Sequence, residues 1–254
     1  MFLETGWTSW PFARNRTALG ELRIPALYIA EQEVDSLLSI EEALHAVENS
    51  LRHRAVGFAT NRPRERVVGG PEVQVNTMLA ADYALGIHGF KTYTMASGVY
   101  RFFVYLYDSE SGDLLAIIEA NRMGQLRTGA ATGVATNLMA RSDATEVGIL
   151  GSGSQAPAQL EAVCQVRNIR RVRVHSATSA NCERFAIEMS RRLGVEVTPV
   201  ESSRKAVEGA DIVVTITSSR EPVLEGAWLE PGMHVAAVGG ADPYVRELDD
   251  EAVQ

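Results

Sequence analysis

The chain has 254 residues and a mass of 27.6 kDa, with 46% hydrophobic and 22% charged residues, the composition of one large or two ordinary globular domains. Its 24 basic residues stand against 32 acidic ones, a net charge of −8. No overall cationic field can hold a polyanion, so nucleic acid and anionic membrane surfaces are excluded as expected partners.

Residues 1–25 carry Trp7 and Trp10 but no basic stretch leading into an apolar one, and they read as an irregular N-terminal extension, not a signal peptide. The longest apolar runs, such as 147–150 and 212–214, are strand-sized and far short of the roughly 18 residues a membrane helix needs. From Ala26 a short strand leads into a helix on which Ile40, Ala43, Leu44, Val47 and Leu51 recur at helical spacing, with Ser39 as N-cap and Glu42 as its capping-box partner. Residues 73–79, 87–95, 102–107 and 114–119 are β-branched or aromatic, and the polar stretch 108–113 joins the last two as a hairpin. Residues 26–120 are therefore expected to form an antiparallel α+β unit. A helix is predicted over 121–139, with Met123, Leu126, Ala130, Val134 and Leu138 on one face. Beyond it, strands at 147–150, 172–175, 195–198, 212–217 and 234–238 alternate with helices at 156–166, 181–193 and a short third. Such alternation predicts βαβ units and a doubly wound parallel α/β sheet over 121–254.

Gly151-Ser152-Gly153-Ser154-Gln155-Ala156 follows an apolar strand directly and opens a helix, the setting that the dinucleotide fingerprint of a Rossmann-like unit requires. Gly151 permits the tight turn, Gly153 lets the backbone approach a pyrophosphate, Ser154 and Gln155 complete the loop, and the helix N-terminus faces the phosphate. A plain strand-to-helix turn is the alternative. The next strand ends in His175-Ser176-Ala177-Thr178, without the acid that binds the ribose of NAD. Ser176, Thr178 and Ser179 suit a 2′-phosphate, tilting the expected NAD(P) cofactor toward NADP, although no arginine stands where a phosphate clamp would and hydroxyls also suit a bare ribose.

Lys91 lies inside an otherwise apolar strand, where an ammonium costs several kcal/mol unless it meets an anion. It points to an anionic ligand, the alternatives being a snorkelling side chain or a pair with Asp82. Arg127, near the start of an Ala/Gly-rich helix, offers a planar fork to a carboxylate. The basic cluster of Arg167, Arg170, Arg171 and Arg173 reads as a solvated edge or a complement to a helix dipole. His45, His53, His88 and His234 lack metal or triad spacing and read as structural or surface residues. Cys164 and Cys182 form neither a disulfide framework nor a metal spacing, so a reducing, cytoplasmic setting is expected.

The segment NRMGQLRTGAATGVATNLMAR, followed by DATEVGILGSGSQA, GADIVVTITSSREPVL and PGMHVAAVGG with RELDD, resembles the ornithine cyclodeaminase/mu-crystallin family, which also contains alanine dehydrogenases and ketimine reductases. The resemblance runs from about Leu27 to Gln254. It implies that residues 26–120 bind substrate and form a homodimer, and that 121–254 bind NAD(P) but stop short of the family's C-terminal end. It further implies that Arg64 and Arg127 hold a substrate carboxylate, Met78 lines the pocket and Lys91 is the lysine of the family's Gly-x-Lys. Thr128 would face cofactor phosphates, Thr215 and Thr217 would flank the dinucleotide, and Val238 with Gly239 would approach the nicotinamide. The implied activity is NAD(P)-dependent hydride transfer at Cα of a small amino or imino acid. The alternatives are an ornithine cyclodeaminase-like ammonia lyase that uses NAD catalytically and a mu-crystallin-like NADPH- or ligand-binding protein. Cyclodeaminases carry an Asp two residues before a proline where this chain has Ala241, its own acid, Asp242, being directly before Pro243, and a glutamate where it has Asn76. Both departures favour a reductase or dehydrogenase, with Asp242 kept as a catalytic candidate.

Overall fold

The computed structural model describes residues 25–70, 73–240 and 244–254; the predicted N-terminal extension, apart from its last residue, lies outside them. The first half consists of β1 (Leu27–Ile29), α1 (Glu31–Leu37), α2 (Ile40–Ala55), β2 (Ala59–Asn61), β3 (Glu65–Gly70), β4 (Val73–Asp82), β5 (Ile87–Ala96), β6 (Val99–Asp108) and β7 (Leu114–Glu119). These strands make one sheet in the order β1-β7-β6-β5-β4-β2, with β3 also paired to β4. The sheet is not wholly antiparallel as expected: β1 runs parallel to β7, because the chain crosses most of the sheet before β7 returns beside its start. Helix α2 starts as its sequence requires, with Ser39 and Glu42 closing a capping box.

Helix α3 (Asn121–Met139) leads into β8 (Glu146–Leu150), α4 (Ala156–Val166), β9 (Arg171–His175), α5 (Ser179–Leu193), β10 (Glu196–Pro199), α6 (Ser203–Val207), β11 (Ile212–Thr215), β12 (His234–Ala237) and α7 (Asp250–Val253). The strands form an all-parallel sheet in the order β10-β9-β8-β11-β12. Its strands are apolar runs because both faces are covered. Val147, Ile149, Val172, Val174, Ile212 and Val214 pack with Leu160, Val163, Phe185 and Met189 on one side, while Leu150, Val213, Ala206 and Val207 fill the other. The order reverses between β8 and β11, the point at which an open α/β sheet places its ligand.

Helix α3 connects the two sheets, and its small residues explain how tightly it is held. A Cβ on Gly129 would fall 2.2 Å from the Ala158 carbonyl oxygen of α4, and one on Gly133 would fall 2.6 Å from Leu44 of α2. The buried face is accordingly Leu126, Gly129, Ala130, Thr132, Gly133, Val134 and Thr136. Leu138, expected on that face, is 70% exposed, because glycine and threonine take the close contacts. Arg167 closes the C-terminus of α3 by donating to the carbonyls of Thr136, Asn137 and Ala140, so this arginine complements a helix dipole. Arg173 pairs with Glu146. At the other end, Glu31 accepts from the backbone N–H groups of Asn121 and Arg122, which caps α3 in place of an N-cap side chain.

Candidate active site

Strand β5 carries Lys91 opposite Met78 of β4 and Val104 of β6. Its ammonium lies 5.5 Å from the ring centres of both Tyr93 and Phe102. Arg64, just before β3, places its guanidinium 5.8 Å from the same Tyr93 ring. Lys91, Met78 and Arg127 line a cavity of about 560 Å³ together with apolar groups such as Val104, Leu106 and Met123. Arg64 is not in that lining and reaches the group through Tyr93.

Burial, and then the charges of Arg127 and Arg64, push the Lys91 ammonium from 10.5 down to about 8. Arg127, although exposed over much of its surface, is also drawn below its usual value, first by desolvation and then by Arg64. Among the described residues no carboxylate pairs with any of the three cations. Asp82, the local acid that might have neutralised Lys91, instead accepts from His53 at 2.8 Å and from the N–H groups of Ala84 and Leu85 in the β4–β5 turn. Three like charges without a counter-ion among the described residues are an arrangement that a bound anion would stabilise.

The glycine turn of the second half has the geometry of a phosphate cradle. Gly151 adopts φ +112°, and a Cβ there would lie 2.3 Å from the Ile216 carbonyl oxygen, so both conformation and space demand glycine. Gly153 faces open space, and Ser154 is exposed beside it. Ser152 Oγ and Gln155 Oε1 are buried without partners, and Ala156, fully buried, seats the start of α4 against the sheet. Orphaned polar atoms, an open approach at Gly153 and a helix N-terminus together fit a dinucleotide. At the end of β9, His175 Nδ1 is held by the Val200 carbonyl. Ser176 is half-buried, and Thr178 is the N-cap of α5 without a side-chain capping bond.

Four other expected cofactor positions sit as follows. Thr215 is fully buried and gives its hydroxyl proton to Glu247 Oε2 at 2.7 Å, so it braces the end of β11 and does not face a ligand. Thr217 and Val238 lie just beyond β11 and β12, which end two residues and one residue earlier than predicted. Thr128 donates to the Gly124 carbonyl at 2.7 Å, the usual back-bond of a helical threonine, and would have to give it up to serve a phosphate. Asp242 lies outside the described residues.

Sequence reasoning missed Glu247. The residue is 4% exposed, and its carboxylate accepts from Thr215 Oγ1, the Thr217 N–H at 2.5 Å and the Gly239 N–H at 2.8 Å. One acid thus ties together the ends of β11 and β12. The available signal was an acid flanked by Arg246 and Leu248 in RELDD, a segment otherwise read only as a family mark.

The family profile described as the ornithine cyclodeaminase/mu-crystallin family matches residues 27–254. The chain belongs to this family. Among solved members of similar fold, a Thermococcus litoralis Δ1-pyrroline-2-carboxylate reductase in complex with NADH and L-proline is 34% identical with a TM-score of 0.85, the match covering 89% of this chain and 73% of that one. An archaeal alanine dehydrogenase dimer with bound NAD is 31% identical at a TM-score of 0.83, covering 89% of this chain and 71% of that one. The ketimine reductase mu-crystallin of Mus musculus is 36% identical over 151 residues, 59% of this chain and 47% of its own length. Relatives of this chain include an alanine dehydrogenase, ketimine reductases and Δ1-pyrroline-2-carboxylate reductases, and two of the solved ones carry NADH or NAD.

Proposed function

We propose that this protein is an NAD(P)-dependent oxidoreductase that transfers hydride at Cα of a small amino or imino acid. The observation that carries the reading is the group of Lys91, Arg64 and Arg127, three cations without a described counter-ion beside a largely apolar cavity. Arg127 and Arg64 hold the substrate carboxylate and fix the orientation of Cα. Lys91, with its ammonium lowered to about 8, is poised to deliver a proton to the C=N nitrogen near neutral pH and to recover one in the reverse direction. When bound, the nicotinamide supplies or accepts the hydride at C4. Gly151, Gly153, Ser154, Gln155 and Ser152 hold its pyrophosphate, Ser176 and Thr178 meet the adenosine ribose, and Thr217, Val238 and Gly239 border the nicotinamide end. The hydroxyl-bearing end of β9 admits either NAD or NADP.

Ala241 and Asn76, standing where cyclodeaminases carry an Asp and a Glu, disfavour a cyclising deaminase that must deprotonate a side-chain amine. The working assembly is a homodimer through the first sheet. On the face opposite Lys91, Val67, Val75, Leu79 and Leu115 are each 39–69% exposed, an apolar surface of the kind that marks an interface. The two cysteines are unpaired, in keeping with a cytosolic setting. Among the described residues no helix is long and apolar enough to cross a membrane.

The test is an initial-rate assay of NADH and NADPH oxidation with cyclic ketimines and with pyruvate plus ammonia, beside ornithine with catalytic NAD. Cofactor oxidation with an imino acid is the expected result. Ammonia release from ornithine exceeding any imine reduction, or no turnover of any substrate, would overturn the reading.

A further inference from the structure

Tyr93 stands two residues beyond Lys91 on β5, so the two side chains share one face of the sheet. Phe102 of β6 is directly opposite Tyr93, and the two rings meet at 4.8 Å with a tilt of 35°. The Lys91 ammonium sits 5.5 Å over both rings, and Arg64 brings its guanidinium to 5.8 Å over Tyr93 from just before β3. One ring thus serves two of the three cations, and Tyr93 itself is only 7% exposed. Filling the sheet face accounts for a large apolar side chain at 93, which an aliphatic residue would also supply. It does not account for two charged ends converging on an aromatic one.

A carboxylate is the other means of holding cations that repel each other. Asp82, the acid that lines the same cavity, is taken by His53, and the charged groups facing Lys91 are Arg127 of α3 and Arg64. An aromatic face attracts a cation through its quadrupole yet carries no net charge. It therefore steadies Lys91 and Arg64 without neutralising them, and an entering carboxylate meets the full charge of the group. An acid at 93 would hold the same cations more strongly and compete with the substrate for them.

We propose that Tyr93, braced by Phe102, is a positioning residue whose ring holds the Lys91 ammonium and the Arg64 guanidinium together beside the cavity in place of a counter-ion. Its use in catalysis rests on the hydride-transfer reading above. The chain has only two lysines, Lys91 and Lys205, so NMR of protein isotopically labelled at lysine Cε follows Lys91 directly, with Lys205→Arg assigning its signal. In ligand-free wild type the Lys91 signal should titrate at about 8. Tyr93→Leu removes the quadrupole and should lower that midpoint by about 0.5–1 pH unit, the size of one partly desolvated cation–π contact. Tyr93→Phe keeps the ring and should titrate as wild type does. The direction separates the two roles, because a packing defect alone would admit water and move the midpoint up toward 10.5. In the active enzyme, the alkaline fall of kcat/KM for imine reduction should move down with the midpoint in Tyr93→Leu and return in Tyr93→Phe. The proposal is overturned by an unchanged or raised midpoint in Tyr93→Leu, by a Tyr93→Phe midpoint as low as that of Tyr93→Leu, or by a kinetic limb that stays fixed while the midpoint moves. Should Tyr93→Leu fail to fold, Phe102→Leu removes the second ring over Lys91 and must lower the midpoint likewise, and no shift there would overturn the proposal equally. The titration needs neither cofactor nor turnover, so absence of NAD(P)H oxidation would refute the redox reading while the NMR still decides the role of Tyr93.

Discussion

Replacing Lys91 with Met should destroy activity and stabilise the ligand-free protein at the same time. The ammonium is held at about 8 instead of 10.5, with burial the larger cause and Arg127 and Arg64 the next. At about 1.4 kcal/mol per pKa unit this corresponds to roughly 3 kcal/mol of destabilisation carried by the charged form. Met keeps the aliphatic stem but loses the contacts to the Tyr93 and Phe102 rings, each worth about 0.5–1 kcal/mol. A net gain of about 1–2 kcal/mol remains, equivalent to a Tm higher by roughly 2–8 °C in a chain of this size. The sign with pH follows from linkage. Below about 8 both folded and unfolded chains carry the proton and the penalty is fully present. Between about 8 and 10.5 the unfolded state binds more protons, so wild-type stability rises with pH and the difference closes. Thermal melts of both proteins from pH 6.5 to 10 read this directly, and kcat/KM should fall ~100-fold or more. A Lys91→Met protein that melts at or below the wild-type temperature at pH 7, with no convergence at higher pH, would refute the reasoning.

Gly153→Val should abolish NAD(P)H fluorescence enhancement and leave the melt unchanged within about 2 °C, because a Cβ there has no protein atom within 4 Å while the side chain enters the phosphate approach. Glu247→Gln should cost about 1.5–3 kcal/mol and weaken cofactor binding: all three partners are donors, and an amide presents its own N–H to one of them. Denaturant titration and cofactor Kd check it. Gly129→Ala should destabilise by about 1–3 kcal/mol, since the added methyl falls 2.2 Å from the Ala158 oxygen and must push α4 from α3; a melt equal to wild type would contradict the packing. Wild-type kcat/KM for imine reduction should decline as pH rises through about 8 while Lys91 loses its proton, and a flat profile from pH 7 to 9.5 would remove Lys91 from proton transfer.

The second half was legible because periodicity and punctuation agree there. The predicted spans 121–139 and 156–166 coincide with α3 and α4, and the glycine turn falls where the strand-turn-helix pattern put it. The first half was read less completely. Helix α1 buries only Val34, and β3 is exposed along almost its whole length, so neither element carries an apolar rhythm that a sequence window can detect. At the site, Lys91 betrayed itself as a charge within an apolar strand. Thr215 and Glu247 did not, because a buried hydroxyl–carboxylate pair 32 residues apart leaves no local pattern.

The most direct measurement follows the hydride itself. Reduced cofactor carrying deuterium at nicotinamide C4 is incubated with the protein and an imino acid, and the amino acid product is examined by mass spectrometry and proton NMR. Hydride delivery to Cα in the site formed by Lys91, Arg64 and Arg127 predicts one deuterium per product molecule, located at Cα, and its disappearance in Lys91→Met. Product without deuterium at Cα, or labelled product formed equally well by Lys91→Met, would contradict the assignment.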